Sequence, residues 1–253
     1  MTYVIVKERN FLYNYNELQR GGCMKKICNS HKLDDYVKKN KIASFFSNDM
    51  KSYMELLLFK KNEYICKENE DIHYLYFFVE GKAKAYNTLS NGKSVLLCFY
   101  DTLQMLGDVE LIHSQKITSN VQVIADSYCI GLPLEKVREQ LLSDATFLRC
   151  ICGSLAHKLN RLSKNSTINL LYPLENRLAS YILATGECTT YTKQRIIFNG
   201  NLTETSELLG TSYRHLLRTL NTLCDKSVIR KNNGYFEVIN IGLLKQLAAD
   251  VYK

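Results

Sequence analysis

Arg214 and Arg218, four residues apart, are the side chains in this sequence best equipped for specific recognition. A guanidinium presents paired N–H donors in a flat fork, and that fork matches O6 and N7 of guanine. Tyr213, His215 and Asn221 stand close by, so hydroxyl, imidazole and amide groups share the same few turns. Arg230 and Lys231 follow after a gap; they suit phosphate, which attracts cations whatever the base sequence. Catalytic patterns do not turn up. There is no Ser-His-Asp arrangement, no H-E-x-x-H, no P-loop and no G-x-G-x-x-G. The five histidines, at 31, 73, 113, 157 and 215, lack metal-ligand spacing. A binding protein is expected, with no enzymatic role and no metal site.

The elements that must position these groups lie in Leu202 to Ile239, LTETSELLGTSYRHLLRTLNTLCDKSVIRKNNGYFEVI. Thr203 is the N-cap candidate of a first short helix, which Glu204, Glu207, Leu208 and Leu209 propagate. Gly210 stops it, because a sharp turn needs a left-handed residue there. Thr211-Ser212 caps a second helix from Tyr213 to about Cys224, with Leu216, Leu217, Leu220 and Leu223 as its apolar stripe. Small Ser206 sits where the two helices cross, and Leu216 plugs the crossing. Two short helices about a glycine turn make a helix-turn-helix, whose second helix enters the major groove by its N-terminal half. Strand-like Ser227 to Lys231 and Tyr235 to Ile239 flank Asn232-Asn233-Gly234, a tight hairpin and therefore a wing. A plain helical hairpin with a solvated basic face is the alternative, and the wing weighs against it.

Upstream, Phe59 to Pro133 carries short apolar runs: 64–66, 74–79, 82–86, 95–100, 121–125 and 128–132. Glu80-Gly81 and Asn91-Gly92 punctuate them as turns, and strands at this spacing predict a barrel or roll. From Asp34 to Phe59 the apolar spacing of three or four predicts short helices. After the roll come a short helix from Leu134 to Leu142 and a long one from Ala145 to Leu171. In the long one Leu148, Cys152, Leu155, Leu159 and Leu162 step by four and three, a coiled-coil seam. It is either a dimer helix or one buried helix of a monomer. Pro173 ends it and opens the next helix, Leu174 to Ala184.

Net charge is +8, which favours polyanionic partners. No apolar run reaches the roughly 20 residues of a membrane span, and the N-terminus lacks a secretory core, so a cytoplasmic protein without a membrane partner is expected. Nine cysteines spread over the chain form no C-x-x-C and read as reduced thiols. Cys150 and Cys152 lie two apart on a helix, about 200° around its axis, so only Cys23 and Cys28, close together in a polar N-terminal stretch, suggest a redox or metal role.

Taken together, the motifs resemble the Crp/Fnr family of bacterial regulators over residues 45 to 240. LTETSELLGTSYRHLLRTLNTL is similar to that family's helix-turn-helix, and SYRHLL with the later GYF looks like its YeiL-type subgroup. The resemblance implies an α+β chain with a cyclic-nucleotide-binding-like β-roll, a long dimerisation helix and a C-terminal winged helix-turn-helix. It places Ser212, Tyr213, Arg214 and Arg218 on the DNA-reading helix. With Thr203, His215 and Lys231 they make up the expected DNA-binding set. Tyr213-Arg214 stands where the family has Arg-Glu, so a typical family operator does not follow.

In the roll, Gly81 matches a family glycine, and Gly107-Asp108-Val109-Glu110 with Thr118 and Ser119 marks the implied effector pocket. Cyclic-nucleotide binders of the family hold the ribose with Gly-Glu and the phosphate with Arg-Ser. Here Asp108 and Ile117-Thr118 take those places, which argues against cyclic AMP. The cysteine spacing does not match an iron–sulfur sensor. Implied partners are double-stranded DNA, a second copy, RNA polymerase and a small-molecule effector. Residues 1–33 read as an N-terminal extension, 34–144 as the sensor, 145–171 as the dimerisation helix and 172–253 as the DNA-binding domain. A signalling module acting through protein contacts, sensing a cyclic nucleotide or redox state, is the rival reading.

Overall fold

Six strands between residues 55 and 133, with the short strand Lys25–Lys26 added at one edge, form a seven-stranded sheet in the order β1-β2-β7-β4-β5, with β3 on β7 and β6 on β4. The strands are β1 (Lys25–Lys26), β2 (Glu55–Phe59), β3 (Tyr64–Cys66), β4 (Tyr74–Thr88), β5 (Ser94–Tyr100), β6 (Gln104–Leu106) and β7 (Asn120–Pro133). This computed structural model describes residues 24–252 except 102, 114, 190–194 and 250. Two units emerge. One holds the described residues up to Ala83 with Tyr100–His157, the other Lys84–Phe99 with Lys158–Lys253.

Several local expectations are corrected by pairing. Met50 to Leu57 was expected to be helical. A single 3₁₀ turn, Lys51–Tyr53, gives way to strand β2, because Glu55 to Phe59 pair with Gly131 to Ser127 on β7. The runs at 74–79 and 82–86 belong to one strand, so Glu80-Gly81 is no turn. Gly81 adopts φ +115°, and a Cβ there would lie 2.1 Å from Ser127 Oγ. The glycine lets β4 pass close over β7 instead of ending it. Likewise 121–125 and 128–132 are parts of β7. The hairpin at Asn91-Gly92 is wider than two residues. Leu89 N bonds Lys93 O at 2.7 Å, and only Gly92 of the pair takes positive φ.

Helix α1 (Ser30–Lys39) starts before Asp34, capped by Asn29, whose side chain accepts from Lys32 N. Short α2 (Asp108–His113) follows β6, and α3 (Leu134–Ser143) follows β7. The long α4 runs Ala145–Leu171 without interruption. Its first turns bury Phe147 and Ile151 in the roll core with Leu75, Phe77 and Ile130. Phe46 stacks on Phe147 at 5.3 Å and meets Phe77 edge-on.

Asp144 holds the start of α4. Its carboxylate accepts from Thr146 N, Phe147 N, Ser47 N and Ser47 Oγ, at 2.6 to 3.2 Å. Burial by itself raises this carboxyl, but the hydrogen bonds from Ser47, Phe147 and Thr146 outweigh it and bring the pKa down to about 2. A depressed carboxyl stabilises the fold above its ordinary value and loses that contribution as pH falls through the depressed one. Asp144→Ala is expected to cost about 2 kcal/mol at neutral pH. The gap in urea midpoint between variant and parent narrows between about pH 4 and pH 2; a constant gap would refute the assignment.

The C-terminal unit contains α5 (Leu174–Thr185), β8 (Glu187–Thr189), β9 (Arg195–Phe198), α6 (Leu202–Leu208), α7 (Tyr213–Asp225), β10 (Ile229–Asn232), β11 (Tyr235–Val238) and α8 (Ile241–Ala248). Strands β10, β11, β9 and β8 form a second sheet in that order. Strands β8 and β9 carried no clear signal in the sequence. Phe236 and Glu237 pair with Phe198 and Ile197, so the wing is the outer part of a larger sheet. No helix among the described residues is long and apolar enough to cross a membrane.

Candidate nucleic-acid interface

Helix α6 opens at Leu202, and its cap is Asn201, not the expected Thr203. The Asn201 side chain accepts from Thr203 N at 2.9 Å and Glu204 N at 3.3 Å. Both residue types cap well; the helix starts earlier than its apolar spacing suggested. Thr203 is exposed in the first turn. Gly210 has φ +59°, and Thr211 N bonds Ser206 O at 2.9 Å, which closes the helix end in a Schellman-type turn. Ser212 then caps α7 as expected, accepting from His215 N.

The crossing of α6 and α7 is tightly closed. Thr205, Ser206 and Leu208 are buried from one side, Leu216, Thr219, Leu220 and Leu223 from the other. That inward stripe turns Ser212, Tyr213, Arg214, His215, Arg218 and Asn221 outward, all of them exposed. His215 Nδ1 lies 3.2 Å from Thr211 Oγ1, which holds the ring against the helix start. Arg230 and Lys231 are exposed on β10. Lys231, Asn232, Asn233 and Tyr235 line a shallow open recess at the wing. The structure thus groups Ser212, Tyr213, Arg214, His215 and Arg218 on one surface of α7. Thr203 stands on α6 and Lys231 on the wing.

Residues Lys84 to Phe99, the outer part of the β4–β5 hairpin, belong to this same unit. Leu96 is buried in its core, with Tyr86 and Phe99 packed alongside. Lys84 is 7% exposed and pairs with Glu204, which is 47% exposed. Tyr181 of α5 meets Phe99 at 5.7 Å and Phe198 at 6.1 Å. Burial pushes its phenol up to about 12, against a hydrogen bond with Thr205. No sequence signal joined the hairpin to α6, since Lys84 and Glu204 stand 120 residues apart.

The expected effector residues lie in the roll unit. Gly107 adopts φ +87° beneath Tyr74 O, where a Cβ would sit 2.9 Å away. Asp108 and Glu110 of α2 are buried, and Val109 is half-buried. Asp108 accepts from Ser154 Oγ of α4 at 3.0 Å and from Val109 N at 3.1 Å. Ile117 is buried, Lys116 and Thr118 are exposed and Ser119 is half-buried. Gly107, Asp108, Val109 and Glu110 are therefore contiguous, while Thr118 faces solvent.

Cys28 is exposed, and Cys23 lies outside the described residues. Cys66, Cys98 and Cys129 are buried free thiols. Burial raises Cys129 well above its usual value, which makes it a poor nucleophile. Among the described residues no three His, Cys, Asp or Glu side chains cluster as metal ligands.

A β-roll, a long helix with a bare leucine face and a winged helix with an outward basic surface, in that order, define a class: the sensor-linked DNA-binding regulators. Residues 56–144 match the cyclic nucleotide-binding domain family. The regulatory protein YeiL of Escherichia coli O157:H7 is 35% identical over 191 residues, covering 75% of this chain and 84% of that protein. A cyclic AMP receptor protein of Thermus thermophilus is 24% identical over 203 residues, covering 78% and 89% respectively. The crystal structure of a CRP/FNR-family transcriptional regulator from Thermus thermophilus superposes with a TM-score of 0.61 at 18% identity, covering 77% of this chain and 98% of that one. The chain belongs to the Crp/Fnr family of transcriptional regulators, in its YeiL-like subgroup. The rival reading as a signalling module acting through protein contacts is not favoured.

Proposed function

We propose that the protein acts in the cytoplasm as a homodimer that reads a two-fold-related operator through α7 and the wing. The observation that carries this is the exposed pair Arg214 and Arg218, turned outward by Leu216, Leu220 and Leu223, which are buried on the opposite side of α7. Arg214 and Arg218 address base edges, Ser212 and Thr203 lie at helix starts that suit phosphate, and Lys231 serves the backbone from the wing. Tyr213 and His215 supply further contacts at the N-terminal end of the reading helix.

The test is a gel-shift titration on a duplex selected from a random pool. Arg214→Ala and Arg218→Ala are each expected to cost about 1–3 kcal/mol and to relax preference at one base pair. Lys231→Ala weakens all sequences alike and lowers the salt slope by about one. Unchanged affinity and preference in both arginine variants would overturn the assignment of α7.

The roll is the effector domain in this reading, and its residues do not fit a cyclic nucleotide. The side chain where the family's arginine would grip the cyclic phosphate is Ile117, and it is buried. Asp108, in the place of the ribose-binding glutamate, is already bonded to Ser154 of α4. A phosphate brought here without a cation would be left poorly solvated, at a cost of several kcal/mol by order of magnitude. An uncharged or weakly charged small molecule suits the site better. The bond between Asp108 and Ser154 gives such a ligand a direct route to α4.

A further inference from the structure

We propose that Asn169, Tyr252 and Arg177 are positioning residues that hold the helix-turn-helix at a fixed angle to the end of α4, and so set the half-site spacing the dimer accepts. The inference rests on the reading above, of a dimer with two recognition helices. By the backbone, α4 reaches the turn at Gly210 only through α5, β8, β9 and α6. By side chains the distance is three residues. The Tyr252 hydroxyl donates to Asn169 Oδ1 in the last turns of α4. Arg177 of α5 lies beside that hydroxyl. Burial raises the phenol of Tyr252, and the neighbouring guanidinium offsets part of the rise. Arg177 Nη1 in turn donates to Leu209 O at 2.7 Å, and Leu209 is the residue that enters the Gly210 turn.

The surroundings hold this relay in place. Tyr252 is 5% exposed, and its ring meets Phe99 edge-on at 6.4 Å. The segment before it is fastened to α5 twice, by Ser180 Oγ to Val251 O at 2.6 Å and by Asn176 Nδ2 to Leu247 O at 2.8 Å. Ala249 and Tyr252 adopt φ of +42° and +59°. Non-glycine residues persist in that region only where their surroundings over-determine them. Simple packing of a chain segment would be met by the buried Val251 and the tyrosine ring. It requires neither the hydroxyl contact to α4 nor a guanidinium spent on a turn carbonyl.

The functional consequence is geometric. Two recognition helices of a dimer must sit about 34 Å apart to enter successive major grooves, and one base pair of error moves a half-site by about 3.4 Å. An angular restraint at the turn therefore appears as spacing discrimination, whereas a loss of stability does not.

The experiment uses the full chain and three duplexes: the selected operator, the same half-sites with one base pair added between them, and a single half-site. The parent protein is expected to prefer its own spacing by about 10-fold or more. Tyr252→Phe keeps the ring and removes the hydroxyl; Asn169→Ala removes the same contact from the α4 side. Both are expected to bring the preference to within about 3-fold while half-site affinity stays at the parental level. Arg177→Met behaves alike, and Arg177→Lys retains part of the preference. Variants that keep parental discrimination would overturn the proposal, as would variants that lose affinity equally on all three duplexes. A parent protein indifferent to spacing would instead defeat the dimeric reading itself and take this inference with it.

Discussion

Replacing Leu159 and Leu162 together by glutamate is expected to leave a folded monomer whose affinity for a two-fold operator is lower by at least about 100-fold. The expectation comes from the two faces of α4. Phe147, Ile151, Asn165 and Ile168 point inward and are buried within the protomer. Leu159 is 68% exposed and Leu162 is 40% exposed, and both lie on the proposed seam, in step with exposed Cys152. A single buried helix of a monomer would cover these leucines. A second copy would cover them as well, and the heptad spacing suits that arrangement. Four leucines across a two-fold axis, at about 1.5–2 kcal/mol each, supply about 6–8 kcal/mol of association. Glutamate forfeits that and adds like-charge repulsion. Sedimentation velocity reads the assembly state, and far-UV circular dichroism checks the fold. A variant that still sediments as a dimer at the parental concentration would place the interface elsewhere. Each monomer still presents Arg214 and Arg218, so weak half-site binding persists.

The second large effect concerns stability. Gly81→Ala is expected to destabilise the roll by about 3–5 kcal/mol, a large share of the roughly 5–15 kcal/mol that holds an ordinary domain folded. The Cβ would stand 2.1 Å from Ser127 Oγ and 2.6 Å from Ser127 Cα. The hydroxyl has little freedom to retreat, since it accepts from Lys82 N and donates to Ala125 O at 2.6 Å. The backbone of β7 cannot swing aside without breaking its pairing with β2 and β3. Positive φ adds strain of its own. Gly92→Ala is the control. Its φ is +78° but nothing lies within 4 Å, so the cost is limited to the conformational term of about 1–2 kcal/mol. Urea denaturation at low temperature separates the two, and equal costs would show that close approach at Ser127 is unimportant.

In the proposed mechanism the sensor's ligand and the reading of DNA both act on α4. Asp108 of the effector region bonds Ser154 in its first half, and Asn169 bonds Tyr252 near its end. A ligand that altered the first contact would act on the helix that carries the proposed dimer seam. A population shift needs only a differential affinity for two arrangements of that helix.

What the sequence determined by itself is everything that rests on neighbours in the chain. Gly210 before Thr211-Ser212 announces a left-handed turn and a cap, and the structure has both. The leucine period fixes which side of α7 is inward, and so which residues face out. Asn232-Asn233-Gly234 marks the wing, and the four-and-three steps of α4 give the spacing on which the proposed seam rests. These are short-range effects of caps, periods and positive φ, and they survive without knowledge of the fold. The tertiary structure alone decided the rest. Residues 55–59 are a strand because β7 offers them a partner, although their spacing also suits a helix. Glu80-Gly81 reads as a turn until Ser127 is seen beneath it. Strand β9 forms because β11 of the wing offers it an edge, and β8 pairs in turn with β9. The path from Asn169 through Tyr252 and Arg177 to Leu209 joins residues up to 83 apart, and no local pattern encodes such a meeting. Pairing and packing are settled by which surfaces are left to bury, and that is a property of the whole chain.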